Sequence, residues 1–295
     1  MIEATANVVL SGVFHAAILF LVAAGLQLVF GVQRIVNLAC GSFYALGAYF
    51  GISAVEWALG AGTPQPLFPV VLVGSGILLA AIGPFVERLL RTIYDRDESF
   101  QLLLTFALVL MFEDIFRFFW GTRTHVISGG LYLLYGQLSF GRVTVPIYNI
   151  LVIAAGLLIA ALMGWFLART RFGRIVRATA ENWDMSEALG VNTARVYARV
   201  FTLGTALGTV GGALVVPSSA ASLDMGITLI VDAFAVVVIG GLGSMRGAFV
   251  GALIVGVLKA MTVSIYAEME MLIVYLIVIA VLVFRPAGLF AKATA

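Results

Sequence analysis

Charged residues are scarce in this chain. They make up 11% of its 295 residues, whereas hydrophobic residues make up 62%. A soluble domain of this size keeps its charged residues on the surface and cannot bury so large an apolar fraction in one core. The composition therefore excludes an ordinary soluble protein and predicts that much of the chain contacts lipid.

Cysteine is almost absent, and so are the motifs of several functional classes. Cys40 is the single cysteine, so an intrachain disulfide is impossible. The net charge of +2 is too small to indicate a nucleic-acid partner. The sequence has no metal-spaced His/Cys cluster, no nucleophile motif and no phosphate-binding loop. We therefore expect no catalytic residues, no metal and no bound cofactor, and a membrane-embedded enzyme is disfavoured.

The sequence consists mainly of long apolar runs without charged residues. A helix needs about 20 apolar residues to cross a bilayer, and the runs lack the alternating pattern of an outer-membrane barrel. The sequence predicts an all-α, polytopic integral membrane bundle of eight or nine spans, which forms one domain over residues 1–295. The predicted spans are 8–30, 35–58, 66–86, 100–119, 147–168, 197–217, 227–240, 247–262 and 270–284.

Lysine and arginine are distributed unevenly between the predicted loops. When the N-terminus is placed outside, 13 of the 17 Lys and Arg residues fall on the cytoplasmic side. The positive-inside rule therefore predicts an N-out, C-in orientation. On the exterior side, the connection 120–146 contains Tyr132 and Tyr135, and we expect it to be a loop or a short helix at the membrane surface.

Glycine and polar residues interrupt two helices at membrane depth. The first break lies in GVQRIVNLACGSFYALG (31–47) and the second in GGLGSMRGAFVG (240–251). Broken segments in corresponding positions of two halves are typical of a transporter's midplane site and of an inverted repeat. For the glycines spaced by four residues, close helix packing is the better explanation. The polar residues of the breaks are candidates for a solute path, namely Asn37, Cys40, Ser42 and Ser244.

The predicted cytoplasmic loop 169–196 contains apolar residues as well as arginines. A short amphipathic stretch runs from Glu181 to Leu189 and is followed by Gly190, which is typical of a helix end. Met185 and Leu189 are four residues apart and share one face of this helix. The loop is therefore predicted to dock on a peripheral cytoplasmic partner.

Charged residues inside the spans need partners, because lipid offers none. Glu113 and Arg117 have the spacing of an i, i+4 ion pair, and we interpret them as structural. Asp232 is a functional candidate, whereas Lys259 is expected to extend outward to the headgroups.

Three segments in order resemble one transporter family. They are GLQLVFGVQRIVNLACGSFYALGAY (25–49), the pattern GRxxRAxAEN…EALGVN (173–192) and VVVIGGLGSMRGAFVGA (236–252). Together they resemble the permease subunits of the branched-chain amino acid ABC importers. The resemblance implies a multi-pass protein of the plasma (bacterial inner) membrane with a second permease subunit, either a paralogue or a copy. It also implies cytoplasmic ATPase subunits that use ATP and an extracytoplasmic solute-binding protein.

The resemblance also implies roles for particular residues. It places residues 37–44 and 240–247 beside the translocation path, which adds Phe43, Tyr44 and Gly241 to the path candidates. It identifies the helix after residue 180 as the one that couples the permease to its ATPase. The expected coupling residues are Glu181, Asn182, Asp184, Met185, Glu187, Leu189 and Gly190.

The chain departs from the family over residues 37–44. It reads NLACGSFY where relatives tend to read NFAHGEFY, so Cys40 replaces a histidine and Ser42 an acidic residue. The solute therefore stays open among branched-chain amino acids, other amino acids, amides and organic acids.

Two transport mechanisms are open for such a chain. The resemblance favours ATP-driven import by alternating access. The alternative is an ion-coupled secondary transporter that works without an ATPase, for which Asp232 is the one candidate coupling residue at the midplane.

Overall fold

The structure, a computed structural model, is helical over most of its length, and it confirms the all-α class. It describes residues 2–94, 96–127, 136–140, 143–285 and 287–290, without the side chains of residues 2–6, 139–140 and 143–144. The helices of this described part are α1 (Ile2–Gln33), α2 (Cys40–Gly60), α3 (Phe68–Leu79), α4 (Gly83–Leu90), α5 (Glu98–Trp120), α6 (Ile147–Arg169), α7 (Arg171–Glu181), α8 (Trp183–Ala188), α9 (Thr193–Val215), α10 (Met225–Gly240), α11 (Met245–Ile265) and α12 (Glu270–Phe284).

Six helical segments of the described residues are long and apolar enough to cross a membrane, so the chain is a multi-pass membrane protein. They are Asn7–Gln33, Gln65–Ile93, Ile147–Arg169, Thr193–Val215, Met245–Ile265 and Ala267–Phe284. Each predicted span coincides with a helix, although the third continues through α4 to Ile93 instead of ending at residue 86. The total span count and the N-out orientation stay predictions.

Helix α1 lies at the centre of the bundle, where it packs along α11 and α9, while α2 packs on α9. Glycines permit these close approaches. A Cβ atom on Gly47 would lie 2.0 Å from the carbonyl oxygen of Thr209, and one on Gly247 would lie 2.0 Å from that of Gly240. Any larger residue would force the helices apart. The packing interpretation of these glycines is confirmed.

The connection 120–146 differs from its prediction. Part of it is a two-stranded antiparallel sheet, formed by β1 (Gln137–Phe140) and β2 (Val143–Pro146). The expected loop or short helix is therefore wrong for this part, because three consecutive β-branched residues in β2 favour an extended backbone. Tyr132 and Tyr135 lie outside the described residues.

Candidate translocation site

The two predicted breaks are present and lie against each other. The first break separates α1 from α2 over residues 34–39, and the second separates α10 from α11 over residues 241–244. A Cβ atom on Gly31, in the last turn of α1, would lie 3.6 Å from the Cα atom of Gly243. Two regions from opposite ends of the chain thus form one site.

Gln27 joins the second break to α1. Its buried side-chain Nε2 donates a hydrogen bond to the carbonyl oxygen of Gly241 at 2.8 Å, and its Oε1 accepts one from the backbone N–H of Gly243 at 2.6 Å. The two glycines have φ angles of +92° and +79°, which L side chains rarely adopt. Because the backbone leaves the helical pattern here, its polar groups need other partners, and the Gln27 amide supplies them.

Sequence reasoning missed Gln27, although a signal was present. It is the one amide side chain in the predicted span 8–30, and polar side chains at membrane depth usually have a specific partner. The partner itself lies 216 residues away in the chain, so only the packing of α1 against the second break identifies it.

Gly241 and Ser244 lie where the sequence predicted, at the two ends of the second break. Gly241 is buried and ends α10, and Ser244 begins α11. The Ser244 hydroxyl accepts a hydrogen bond from the N–H of Gly247 at 3.1 Å, which is the usual bond of an N-cap serine. The polar side chain of this break is therefore engaged in holding the start of α11.

Asn37 lies in the first break and is buried there. Its Oδ1 accepts a hydrogen bond from the N–H of Ala39 at 3.0 Å, just before α2 begins. Its Nδ2 has no hydrogen-bond partner among the described residues. Since buried donors are nearly always paired, this amide is suited to a partner that arrives with a solute or with a change of conformation.

The path candidates on α2 lie in contacts between helices. All four are buried, namely Cys40, Ser42, Phe43 and Tyr44. The ring of Phe43 makes edge contacts with Phe112 and Phe201, at centroid distances of 5.6 and 5.9 Å. A Cβ atom on Gly212 would lie 1.8 Å from the carbonyl oxygen of Tyr44, so α2 and α9 are in close contact. The role of these four residues in a path stays a prediction.

A cavity of about 650 Å³ opens between the two breaks. Its walls are mostly apolar and include Phe30 of α1 and Phe234 of α10. Arg34 from the first break and Glu98 from α5 bring opposite charges to it, and Ala180 of α7 also lines it. The cavity therefore touches both breaks and the helix that leads into the predicted coupling segment.

Helix α7 is anchored on the same end of the bundle. Its buried Val176 belongs to an apolar cluster with Leu28 and Val32 of α1 and with Val196 and Val200 of α9. A displacement of α7 would therefore act directly on the last turns of α1, where Gln27 and Gly31 meet the second break.

The predicted coupling segment contains a shorter helix, α8, whereas Glu181 is the last residue of α7; the coupling role stays a prediction. Asn182 begins α8, because its Oδ1 accepts a hydrogen bond from the N–H of Met185 at 2.9 Å, and Gly190 follows it with a φ angle of +84°. Met185 is 58% exposed and Leu189 is 78% exposed. Trp183, which sequence reasoning did not include, is 52% exposed. The other predicted coupling residues are also exposed, namely Glu181, Asn182, Asp184, Glu187 and Gly190.

Three large apolar side chains are exposed on α8 or directly after it, outside the spanning segments. Such exposed apolar patches usually bind a partner, so the predicted docking role stays a prediction with a suitable surface. We call the exposed side chains of Trp183, Met185 and Leu189 the α8 surface.

Two groups of charged residues inside the predicted spans form ion pairs. Arg117 contacts Glu113 at 2.8 Å, which confirms the predicted ion pair. Lys259 contacts Asp232 at 2.6 Å and Glu270 at 2.9 Å. The expectation that Lys259 extends outward is therefore wrong, because two carboxylates from α10 and α12 are within reach and their attraction is strong away from water.

Comparison with known proteins shows similarity along nearly the whole chain. The family model described as "Branched-chain amino acid transport system / permease component" matches residues 8–282. The chain is 26% identical over 279 residues to the high-affinity branched-chain amino acid transport system permease protein BraD of Pseudomonas aeruginosa, which covers 92% of this chain and 91% of the relative.

Two further relatives have similar names. The high-affinity branched-chain amino acid transport system permease protein LivH of Salmonella typhimurium is 27% identical over 290 residues, covering 96% of this chain and 94% of the relative. The probable branched-chain amino acid transport permease protein LivH of Methanocaldococcus jannaschii is 24% identical over 256 residues, covering 84% and 78%. No solved structure matches the chain.

Proposed function

Because the chain belongs to the branched-chain amino acid transport system permease family, a family of ABC importer permeases, we propose that it forms the solute path of an ATP-driven importer and works by alternating access. The observation that supports this most directly is the cavity between the two helix breaks, which also touches α7. An ion-coupled secondary transporter is less well supported, because its one candidate coupling residue, Asp232, is paired with Lys259.

The cavity chemistry favours a small zwitterion. Its walls are largely apolar, and Arg34 and Glu98 add one charge of each sign. On one small molecule, a carboxylate would pair with Arg34, an ammonium group would pair with Glu98, and an apolar side chain would contact the apolar walls. We infer a branched-chain or related amino acid, delivered by a soluble binding protein. An organic acid would pair only with Arg34, and an amide would pair with neither charge.

The proposed coupling runs from the α8 surface to the breaks. An ATPase subunit that binds the α8 surface would move α8 and α7 when it closes on ATP. Val176 of α7 packs against Leu28 and Val32 of α1, and α1 holds the second break through Gln27. Movement of α7 would thereby open or close the cavity at the end where the two breaks meet.

The coupling step is tested by Met185→Ala in the importer assembled with its ATPase and binding protein. Met271→Ala is the matched control, because Met271 of α12 is 60% exposed, almost as much as Met185, but lies in a spanning segment. We expect Met185→Ala to lower ATPase stimulation and uptake about tenfold, as loss of a central apolar anchor does in protein interfaces. Equal uptake and equal ATPase stimulation in both variants would show that the α8 surface does not couple.

A further inference from the structure

A second cavity lies away from the breaks, on the outside of the bundle. It is a groove of about 510 Å³ between α1, α6 and α11. Its walls include Phe20 of α1, Leu157 and Gly164 of α6, and Phe249 of α11. Arg246 is the one charged residue among the lining residues that the structure describes. The groove is thus an apolar channel with a single cation.

Arg246 lies at the start of α11, so it marks the end of the groove nearest the membrane boundary. Its side chain is exposed, and it has no ion-pair partner in the part of the chain that the structure describes. On the other wall, Gly164 lies five residues before Arg169, where α6 ends. A free cation at this depth is suited to an anionic headgroup.

We propose that this groove binds one acyl chain of an anionic phospholipid, with its phosphate group on Arg246. The single cation beside an apolar groove favours a phospholipid over a neighbouring protein helix, because a phospholipid carries an anionic phosphate and an apolar chain on one molecule. A flexible acyl chain can lie along the groove. This inference does not depend on the solute or on the energy source of transport.

Two variants address the two parts of the groove. Gly164→Leu fills the apolar part, and a Cβ atom on Gly164 meets no atom within 4 Å, so the change does not clash with the backbone. Gly74→Leu is its control, because Gly74 of α3 is equally open and exposed but lies outside the groove. Arg246→Gln removes the charge, and Arg88→Gln removes an exposed arginine at the end of α4 as its control.

The experiment counts lipids bound to the full-length chain, purified with its importer partners, by native mass spectrometry. Delipidated samples are titrated with phosphatidylglycerol or phosphatidylcholine. We expect the wild type and both controls to bind phosphatidylglycerol in preference to phosphatidylcholine. Arg246→Gln should weaken phosphatidylglycerol binding about five-fold, and Arg246→Lys should restore it. Gly164→Leu should lose the tightly bound phosphatidylglycerol molecule. Its thermal unfolding midpoint should equal that of Gly74→Leu.

Two results would overturn the proposal. In the first, Arg246→Gln and Gly164→Leu bind phosphatidylglycerol as their controls do. In the second, Gly164→Leu keeps its lipid but no longer retains the second permease subunit, which would make the groove a protein interface. Because the readout is lipid binding, failure of the proposed transport function would leave this test unaffected.

Discussion

At the scale of single residues, the amide of Gln27 satisfies two backbone groups that the second break leaves outside the helical pattern. It bonds to the carbonyl of Gly241 and to the N–H of Gly243, and it is buried. A backbone group that is buried in a membrane protein without a partner costs several kcal/mol. Gln27 therefore stabilises the break in the conformation seen here, and it is the residue whose loss should free the break to move.

We expect Gln27→Leu to lower the free energy of unfolding by about 1–3 kcal/mol, because the N–H of Gly243 loses its partner and the carbonyl of Gly241 keeps only the N–H of Ser244, at 3.2 Å. Uptake should fall with it, since the position of the second break is no longer held. Thermal unfolding of the purified chain and solute uptake by the importer measure the two effects. Gln27→Glu retains the acceptor for Gly243 and should give an intermediate midpoint. A leucine variant with wild-type midpoint and wild-type uptake would mean that these two bonds are dispensable.

Polar residues at the breaks were predictable from the sequence, but their neighbours were not. Asn37 and Ser244 are polar residues within otherwise apolar stretches, so the chain alone indicates that they need partners. Arg34 and Glu98 look like ordinary cytoplasmic charges in the sequence. Their place at the cavity depends on how the start of α5 packs against the first break, and no local pattern records that contact.

At the scale of elements, the helix positions follow from the distribution of charge. Apolar runs between charged loops cannot leave backbone groups unpaired in lipid, so they must be helical, and every predicted span is a helix. The β1–β2 pair was missed because the connection 120–146 was interpreted from its turn residues and tyrosines. The β-branched residues of β2 were the available signal.

The ion pairs of Lys259 connect three helices. Lys259 lies on α11, Asp232 lies on α10, and Glu270 is the first residue of α12. We expect Lys259→Met to destabilise the chain by about 3 kcal/mol, because it leaves the largely buried carboxylate of Asp232 without its cation. Adding Asp232→Asn should recover part of this loss, and a double-mutant cycle of thermal unfolding measures the recovery. Strictly additive effects of the two substitutions would contradict a coupled pair.

At the scale of the whole molecule, coupling to a cytoplasmic ATPase requires the α8 surface and the cavity between the breaks to face the cytoplasm. The bias of lysine and arginine predicts this orientation. The structure contributes the physical connection, because α7 links α8 to the end of α1 through the cluster around Val176. The choice of solute depends on the side chains that line the cavity between the breaks, Arg34 and Glu98 among them, and not on the helix order alone.

Cysteine labelling tests the orientation. Cys40 is buried and can be replaced by alanine, after which Glu56→Cys and Asp184→Cys each supply one exposed thiol. A membrane-impermeant maleimide should label position 56 in intact cells and position 184 only after permeabilisation. The reverse pattern would place the α8 surface outside the cell and remove its access to an ATPase.

The central claim is that this chain moves its solute only as part of an ATP-driven importer. Uptake of a radiolabelled branched-chain amino acid into proteoliposomes tests it, with this chain alone or together with its permease partner, ATPases and binding protein. We predict uptake in the complete assembly only when ATP and the binding protein are both present, and none by the chain alone under a proton or sodium gradient. Gradient-driven uptake by the chain alone would contradict the account.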